Sequence, residues 1–197
     1  MKTSGNILFC GVGGQGNLLA SEITAYALLA AGMDVKKSEV HGMAQRGGSV
    51  VAQLRFGDKV YSPMIEPGTA DVVVSFELME TLRYLPFMND KTQVVLSSHK
   101  IPPPAVATGK MSYPEGVMAK LQSKVSVLPV DGFALAQEVG EVRAANVVLV
   151  GAMSVFLPIG EEVFLQVMNE KLPPKILDVN LKAFAKGREV ALGKGGQ

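Results

Sequence analysis

The sequence predicts a three-layer α/β domain with a mostly parallel sheet, helices on both faces and one inserted antiparallel hairpin. Short β-branched runs recur at residues 70–76 and 92–98, and such runs are typical of parallel strands buried on both faces. Segments with helical periodicity alternate with these runs. A turn with four glycines in six positions joins the first apolar run to the first helix. Alternating strands and helices of this kind favour helices packed on both sides of one sheet.

Length and composition indicate one domain. The chain has 197 residues, of which 48% are hydrophobic, and no Ser/Gly/Pro-rich linker divides it. We expect a single domain over residues 1–192. The glycine-rich end at residues 193–197 is predicted to be a flexible tail.

Charge and cysteine content exclude several classes of function. Nineteen basic and eighteen acidic residues give a net charge of +1, and no basic run indicates nucleic-acid binding. No apolar run reaches the roughly eighteen residues that a membrane span needs, and no signal-type segment precedes the first strand, so we expect a cytoplasmic protein without membrane contact. Cys10 is the single cysteine and lies in an apolar run, which predicts a buried thiol rather than a disulfide or a cysteine-rich metal site.

The glycine turn is the first candidate binding site. It follows the apolar run at residues 6–10 and opens onto a helix that starts at residue 17. Glycines at 11, 13 and 16 fit the G-x-G-x-x-G spacing, in which backbone N–H groups and a helix N-terminus receive a phosphate. A purely structural alternative stays open, in which the glycines only let the helix pack closely on the sheet. The predicted binding residues are Gly11, Gly13, Gly14, Gln15 and Gly16.

A second strand, predicted around residues 35–40, keeps a nicotinamide interpretation open. Glu39 lies about twenty residues beyond the glycine turn, where dinucleotide-binding domains place a carboxylate on the ribose hydroxyls. The alternative is an ordinary solvated carboxylate at a strand end.

The loop at residues 41–48 is the second candidate site, since it carries His, Met, Gln and Arg between glycines. The guanidinium of Arg46 suits a phosphate or a carboxylate. A loop at the carboxyl end of the second strand would face the glycine turn, so the two loops are predicted to form one site. Alternatively, Arg46 and His41 pair with local carboxylates or carbonyls. No second histidine stands at metal-ligand spacing from His41, so no metal site is predicted.

A hairpin is predicted next, with strands at 49–56 and 59–62 joined by Gly57 and Asp58. A dehydrogenase of the Rossmann type would have a crossover helix here, so the hairpin counts against that class. Residues 77–87 read as a helix.

The second half of the chain supplies further strands and helices. Prolines at 102–104 exclude a helix there, and residues 125–130 read as a strand. Residues 146–157 are predicted to be a buried helix with Gly151 and Ala152 as small packing points and Asn146 as its cap. An amphipathic helix is expected over residues 161–172, and a last helix is expected over residues 175–192.

Four segments together resemble a known family, the gamma-type subunit of the 2-oxoacid:ferredoxin oxidoreductases. Within it, they are most similar to the small (beta) subunits of the indolepyruvate group. The segments are Gly-Val-Gly-Gly-Gln-Gly at 11–16, His-Gly-Met-Ala-Gln-Arg-Gly-Gly at 41–48, Ala-Asp-Val-Val-Val-Ser-Phe-Glu at 70–77 and Asn-Val-Val-Leu-Val-Gly-Ala at 146–152. The resemblance covers the chain up to its tail and implies a Rossmann-like sheet.

The resemblance also implies an activity, the oxidative decarboxylation of a 2-oxoacid to an acyl-coenzyme A with thiamine diphosphate, iron–sulfur clusters and ferredoxin. A [4Fe–4S] cluster needs about four cysteines, and this chain has one. The family's thiamine motif, Gly-Asp-Gly, is not present, since the only Asp-Gly pair, Asp131 and Gly132, follows a valine. We therefore expect no cofactor on this chain alone and no catalytic residue in it. A larger partner subunit would hold the thiamine diphosphate and the [4Fe–4S] clusters and pass electrons to ferredoxin.

Under this interpretation the glycine turn and Arg46 contact either the phosphates of the substrate coenzyme A or the catalytic subunit. Two other classes stay open at this stage. One is a stand-alone NAD(P)-dependent oxidoreductase, although no Tyr-Lys or His-Asp catalytic pair is evident. The other is a nucleotide-sensing module.

Overall fold

The computed structural model describes residues 3–42 and 48–194. Its strands are β1 (Gly5–Val12), β2 (Asp34–His41), β3 (Ser49–Gly57), β4 (Val72–Ser75), β5 (Gln93–Ser97) and β6 (Ser126–Val130). Its helices are α1 (Asn17–Ala30), α2 (Leu78–Arg83), α3 (Pro104–Ala107), α4 (Val117–Gln122), α5 (Gly132–Glu138), α6 (Ala145–Ser154), α7 (Glu161–Lys171) and α8 (Pro174–Lys194). Short 3₁₀ turns occur at Leu85–Phe87 and Val142–Ala144.

The six strands form one sheet in the order β2-β3-β1-β4-β5-β6. Strands β1, β4, β5 and β6 are parallel, and β3 runs antiparallel to both of its neighbours, β1 and β2. Since β1 and β2 are each antiparallel to β3, their carboxyl ends reach the same edge of the sheet. The predicted fold class is confirmed: a mostly parallel sheet with one antiparallel insertion.

The position of the hairpin was predicted wrongly. The hairpin partner of β3 is β2, which precedes it in the chain, with Val40 opposite Val51, and residues 59–62 form no strand. Instead that segment is held to β2 and β3, because the N–H of Val60 donates to the carboxylate of Asp34 (2.9 Å) and the Arg55 guanidinium donates to the carbonyl of Ser62 (3.3 Å). The bond to Asp34 joins residues 26 positions apart, and together with the Arg55 bond it overrides the local turn signal of Gly57 and Asp58.

Four element boundaries also differ from the prediction, and one of them is the start of α3 at Pro104, the last of the prolines predicted to exclude a helix. The helix expected over residues 77–87 breaks into α2 and a 3₁₀ turn that contains Pro86, which cannot donate a helical hydrogen bond. Helix α8 continues through Gly193 to Lys194, so the predicted tail does not begin at residue 193, while residues 195–197 lie outside the described part of the chain. Asn146 lies inside α6 and does not cap it.

Two apolar clusters cover the two faces of the sheet. Ile7 and Phe9 of β1 face one cluster, which includes residues of α1, α6, α7 and α8, and Leu8 and Cys10 face the other, with residues of α2 and α4. This alternation is the period of two expected of a strand buried on both sides. All ten residues of α6 are buried, which confirms the predicted buried helix.

Helices α6 and α8 approach each other through glycines. A Cβ atom on Gly151 would overlap the carbonyl of Phe184, and one on Gly187 would overlap the carbonyl of Val148 and lie 2.8 Å from the nitrogen of Ala152. Gly151 was predicted as a small packing point, and the structure confirms this. In the described part of the chain, no helix has both the length and the apolar character to cross a bilayer.

Candidate functional site

The glycine turn and the end of β2 line one cavity. The cavity has a volume of about 640 Å³, within the range usual for small-molecule sites. Gly13 and Gly14 border it from one side, and His41 and Gly42 border it from the other. The glycine turn and the described start of the 41–48 loop therefore line one cavity at the carboxyl edge of the sheet, while their role as one binding site stays a prediction. The remaining lining residues are Val12, Gly16, Asn17, Leu18 and Val50.

Two positions in the turn depend on glycine. Gly14 and Gly16 have φ values of +98° and +81°, in the left-handed region that side chains disfavour. Gly16 is also pressed against α6, because a Cβ there would lie 2.9 Å from the Cγ of Asn146. The side-chain amide of Asn146 in turn donates to the carbonyl of Gly16 (3.2 Å). Asn146 therefore fixes the turn from a position 130 residues further along the chain.

Gln15 and Gly11 support the backbone of the turn, and neither residue lines the cavity. The Gln15 amide donates to the carbonyl of Phe76 (2.6 Å), and its oxygen accepts the N–H of Val12 (2.9 Å). This side chain bridges the ends of β1 and β4, the point of an α/β sheet where ligands usually enter. A Cβ on Gly11 would lie 2.7 Å from the Gln15 oxygen, so glycine leaves room for the bridge.

The N-terminus of α1 opens onto the cavity without a side-chain cap. Its N-cap residue is Gly16, its first turn has no acidic residue, and the first helical hydrogen bond runs from the N–H of Ala20 to the carbonyl of Gly16. The N–H groups of the first turn therefore have no acceptor within the helix, and they carry the positive end of its dipole. Such an end is suited to an anion.

Asn17, the first residue of α1, was missed by the sequence analysis. Its side chain is 3% exposed, and its amide nitrogen donates to the carbonyl of Val50 (3.3 Å). Its amide oxygen is buried and has no hydrogen-bond partner. Buried polar atoms are nearly always paired, so this oxygen is an exception that no described residue satisfies. The sequence feature that could have identified Asn17 is its position directly after Gly16, the last glycine of the turn.

Glu39 is not arranged to hold a ribose. Its carboxylate contacts the ammonium of Lys37 (2.6 Å) and lies 3.7 Å from Nε2 of His41. Strand β3 separates β2 from β1, so Glu39 stands two strand spacings, about 9.5 Å, from the strand that carries the glycine turn. A nicotinamide site of the Rossmann type needs these two strands as neighbours, and the geometry counts against it.

Arg46 belongs to residues 43–47, which lie outside the described part of the chain. The two stems of its loop are described and are fixed by backbone hydrogen bonds. The N–H of Gly42 donates to the carbonyl of Ser49 (2.7 Å), and the N–H of Gly13 donates to the carbonyl of Gly48 (2.8 Å). The second bond joins the loop directly to the glycine turn.

A buried acidic group lies beside the turn, at the start of α2. Glu77 is fully buried and accepts the N–H groups of Met79 (2.7 Å) and Glu80 (2.9 Å) with one oxygen. Its other oxygen accepts the hydroxyl of Tyr113 (2.6 Å) and the N–H of Ile101 (3.3 Å). Burial, together with the hydrogen bond to Glu77, raises the pKa of Tyr113 well above its usual value. Tyr113 therefore remains a neutral donor at physiological pH.

Cys10 is a packing residue. Complete burial raises the pKa of its thiol to about 12. The thiolate is the form that attacks electrophiles and binds metals, and it is scarcely populated at neutral pH. Among the residues that the structure describes, no cluster of three or more His, Cys, Asp or Glu side chains could hold a metal ion.

Comparisons with known proteins identify the family. Residues 6–190 match the model for the pyruvate ferredoxin/flavodoxin oxidoreductase family. The chain belongs to this family. It is 43% identical over 194 residues to indolepyruvate oxidoreductase subunit IorB of Archaeoglobus fulgidus, with 95% of both chains covered. It is 41% identical over 192 residues to the protein of the same name from Thermococcus kodakarensis, covering 94% of this chain and 95% of that one.

Solved structures share the fold of this family member. The gamma subunit of a keto/oxoacid ferredoxin oxidoreductase from Geobacter sulfurreducens superimposes with a TM-score of 0.71 at 22% identity, over 95% of this chain and 98% of that one. The 2-oxoglutarate:ferredoxin oxidoreductase of Magnetococcus marinus, solved with 2-oxoglutarate, coenzyme A and succinyl-CoA bound, gives 0.76 at 25% identity. The match covers 98% of this chain but only 32% of that longer chain.

The family predicted from the four sequence motifs is therefore confirmed. The chain is an accessory subunit of a 2-oxoacid ferredoxin oxidoreductase, which is an oxidoreductase complex.

Proposed function

We propose that this chain is the small subunit of an indolepyruvate ferredoxin oxidoreductase and that its glycine turn binds the phosphates of coenzyme A. The complex would convert an arylpyruvate to the corresponding acyl-coenzyme A while it reduces ferredoxin. The names of the relatives at 43% and 41% identity support the substrate class. The uncapped N-terminus of α1 at the cavity supports the phosphate site, and this observation carries the proposal.

The cavity has the chemistry that coenzyme A requires. The N–H groups of the first turn of α1 offer donors and a positive dipole end to a phosphate. Val12, Leu18 and Val50 supply an apolar wall for the uncharged arm of the ligand. Arg46 is proposed to add a guanidinium to the same phosphates.

The chain's own residues do not fit thiamine diphosphate or an iron–sulfur cluster. A [4Fe–4S] cluster takes about four thiolates, whereas Cys10 is the single cysteine and stays protonated inside the sheet. The redox chemistry is accordingly proposed to take place in the larger partner subunit, which passes electrons to ferredoxin. This subunit would present coenzyme A to that partner.

A charge placed at the helix end tests the proposal. Leu18→Glu puts a carboxylate where the phosphates would bind, and Leu18→Gln is the neutral control of the same size. In the complex with its catalytic partner, we expect Leu18→Glu to raise the KM for coenzyme A about tenfold over Leu18→Gln, the effect of about 1.4 kcal/mol of repulsion. The KM for the 2-oxoacid should stay unchanged. Arg46→Ala should act in the same direction as Leu18→Glu.

Two outcomes would contradict the proposal. Equal KM values for coenzyme A in the two Leu18 variants would show that the phosphates bind elsewhere. If Leu18→Glu no longer co-purified with the partner while Leu18→Gln did, the turn would be a docking surface and not a ligand site. The carboxylate itself is compatible with folding, because acidic side chains stabilise a helix N-terminus.

A further inference from the structure

Ser49, the first residue of β3, makes hydrogen bonds with both its backbone carbonyl and its side-chain hydroxyl. Its carbonyl accepts the N–H of Gly42, which closes the stem of the 42–48 loop (2.7 Å). Its hydroxyl donates to the carboxylate of Glu80 on α2 (2.5 Å). The neighbouring carbonyl of Gly48 accepts the N–H of Gly13 in the glycine turn. A single residue therefore links the loop stem, and through Gly48 the glycine turn, to helix α2.

Burying the carboxylate of Glu80 at this position costs free energy of folding. It is 3% exposed, and besides Ser49 its carboxylate accepts the Nε of Arg83 at 3.2 Å. Burying a carboxylate costs several kcal/mol before its partners are counted, and an apolar residue of similar volume is often as stable or more stable. Helix α2 already packs on β1, β4 and β5 through apolar residues such as Leu78. Packing alone gives no reason for a carboxylate here.

We infer that Glu80 and Ser49 are positioning residues for the coenzyme A site, which fix the stem of the 42–48 loop against the glycine turn. This inference rests on the proposed function. Neither residue lines the cavity, so neither contacts the ligand directly. Glu80 acts through the hydroxyl of Ser49, and Ser49 acts through the backbone of Gly42 and Gly48.

The start of β3 is held from both faces of the sheet, by Asn17 on one face and by Glu80 on the other. Strand β2, which leads into the loop, is an edge strand, and β3 is its only neighbour in the described sheet. Helix α1 covers one face of the sheet, and Asn17 holds the carbonyl of Val50 from that side. Helix α2 covers the other face, and Glu80 holds Ser49 from there. The start of β3 is thus fixed between the two helices that flank the ligand edge.

Ser49→Ala tests the inference in the complex with the catalytic partner. We expect the KM for coenzyme A to rise about five- to tenfold, because part of the energy of the lost hydrogen bond to a charged group would be lost at the ligand site. The KM for the 2-oxoacid and kcat should change less than about twofold, because the lost hydrogen bond is expected to affect the coenzyme A site alone. Ser49→Thr keeps the hydroxyl and should restore the KM for coenzyme A. Ser126→Ala is the matched control, an exposed serine that also begins a strand, and should have no effect.

Each outcome separates this inference from the proposed function. If Ser49→Ala lowers only the melting temperature, or raises both KM values alike, Ser49 has a structural role and the inference is wrong. If Leu18→Glu raises the KM for coenzyme A and Ser49→Ala does not, the ligand site stands and its positioning by Glu80 does not. If neither variant has an effect, the proposed function fails, and the inference fails with it.

Discussion

Gly187→Ala is expected to lower the free energy of unfolding by about 3 kcal/mol or more, at the upper end of what overpacking usually costs. The added methyl group would overlap the carbonyl of Val148 and lie 2.8 Å from the nitrogen of Ala152. Both atoms belong to the backbone of α6, so no side chain can turn aside. The two helices would have to separate, which would open the contact between α8 and a helix whose residues are all buried. Gly151→Ala meets the carbonyl of Phe184 from the other side and should behave alike.

Helix α8 supplies its own control. Gly193 lies in the same helix with open space around its Cβ position, so Gly193→Ala tests helix propensity without a clash. Alanine is favoured over glycine by up to about 1 kcal/mol inside a helix and by less near its end. Urea unfolding followed by circular dichroism should therefore show an unchanged or slightly higher midpoint for Gly193→Ala. A Gly187→Ala variant that unfolds at the wild-type urea concentration would mean that the helices are further apart than described.

Glu77→Ala is expected to cost about 3 kcal/mol of stability, the sum of a lost helix cap and lost buried hydrogen bonds. Glu77 caps α2 through the N–H groups of Met79 and Glu80. It also holds Ile101 and Tyr113, which are 24 and 36 residues away in the sequence. Alanine would leave all four donors without this acceptor, including the neutral hydroxyl of Tyr113. The segment around residues 101–113 would lose its attachment to the start of α2.

Tyr113→Phe separates the contribution of one buried hydrogen bond from the contribution of the α2 cap to the stability lost in Glu77→Ala. It removes one of the four donors and leaves the cap intact, so we expect a loss of about 1 kcal/mol, the usual net value of one hydrogen bond. Glu77→Gln keeps an acceptor for the cap and should fall between the two variants. Thermal or urea unfolding of the three proteins gives the order. If Glu77→Ala were no less stable than Tyr113→Phe, the cap would contribute nothing and the account of Glu77 would be wrong.

Local patterns in the sequence predict much of this fold. The β-branched runs locate β4 and β5, and the glycines between an apolar run and a helix locate the turn after β1. The long apolar segment with Gly151 predicts α6, because a fully apolar helix must be buried. The meeting of the turn with the end of β2 also follows from the sequence, since carboxyl ends of strands that run the same way share an edge.

What the sequence does not reveal depends on partners distant in the chain. Gln15 looks like a ligand-binding residue until Phe76, 61 residues away, is placed beside it. Asn146 looks like a helix cap, yet its amide bonds to Gly16. The wrong hairpin has the same cause, since Gly57 and Asp58 form a good local turn signal. The N–H of Val60 bonds instead to Asp34, 26 residues earlier, and no local pattern predicts that bond.

Anaerobic purification of the tagged chain from its native host tests the central claim most directly. The account predicts that a larger protein carrying thiamine diphosphate and iron–sulfur clusters co-purifies. The eluate should reduce ferredoxin in the presence of indolepyruvate, and this activity should require coenzyme A. A chain that purifies alone, and that binds NAD or NADP tightly in isothermal titration, would contradict the account and favour a self-sufficient dinucleotide-binding protein.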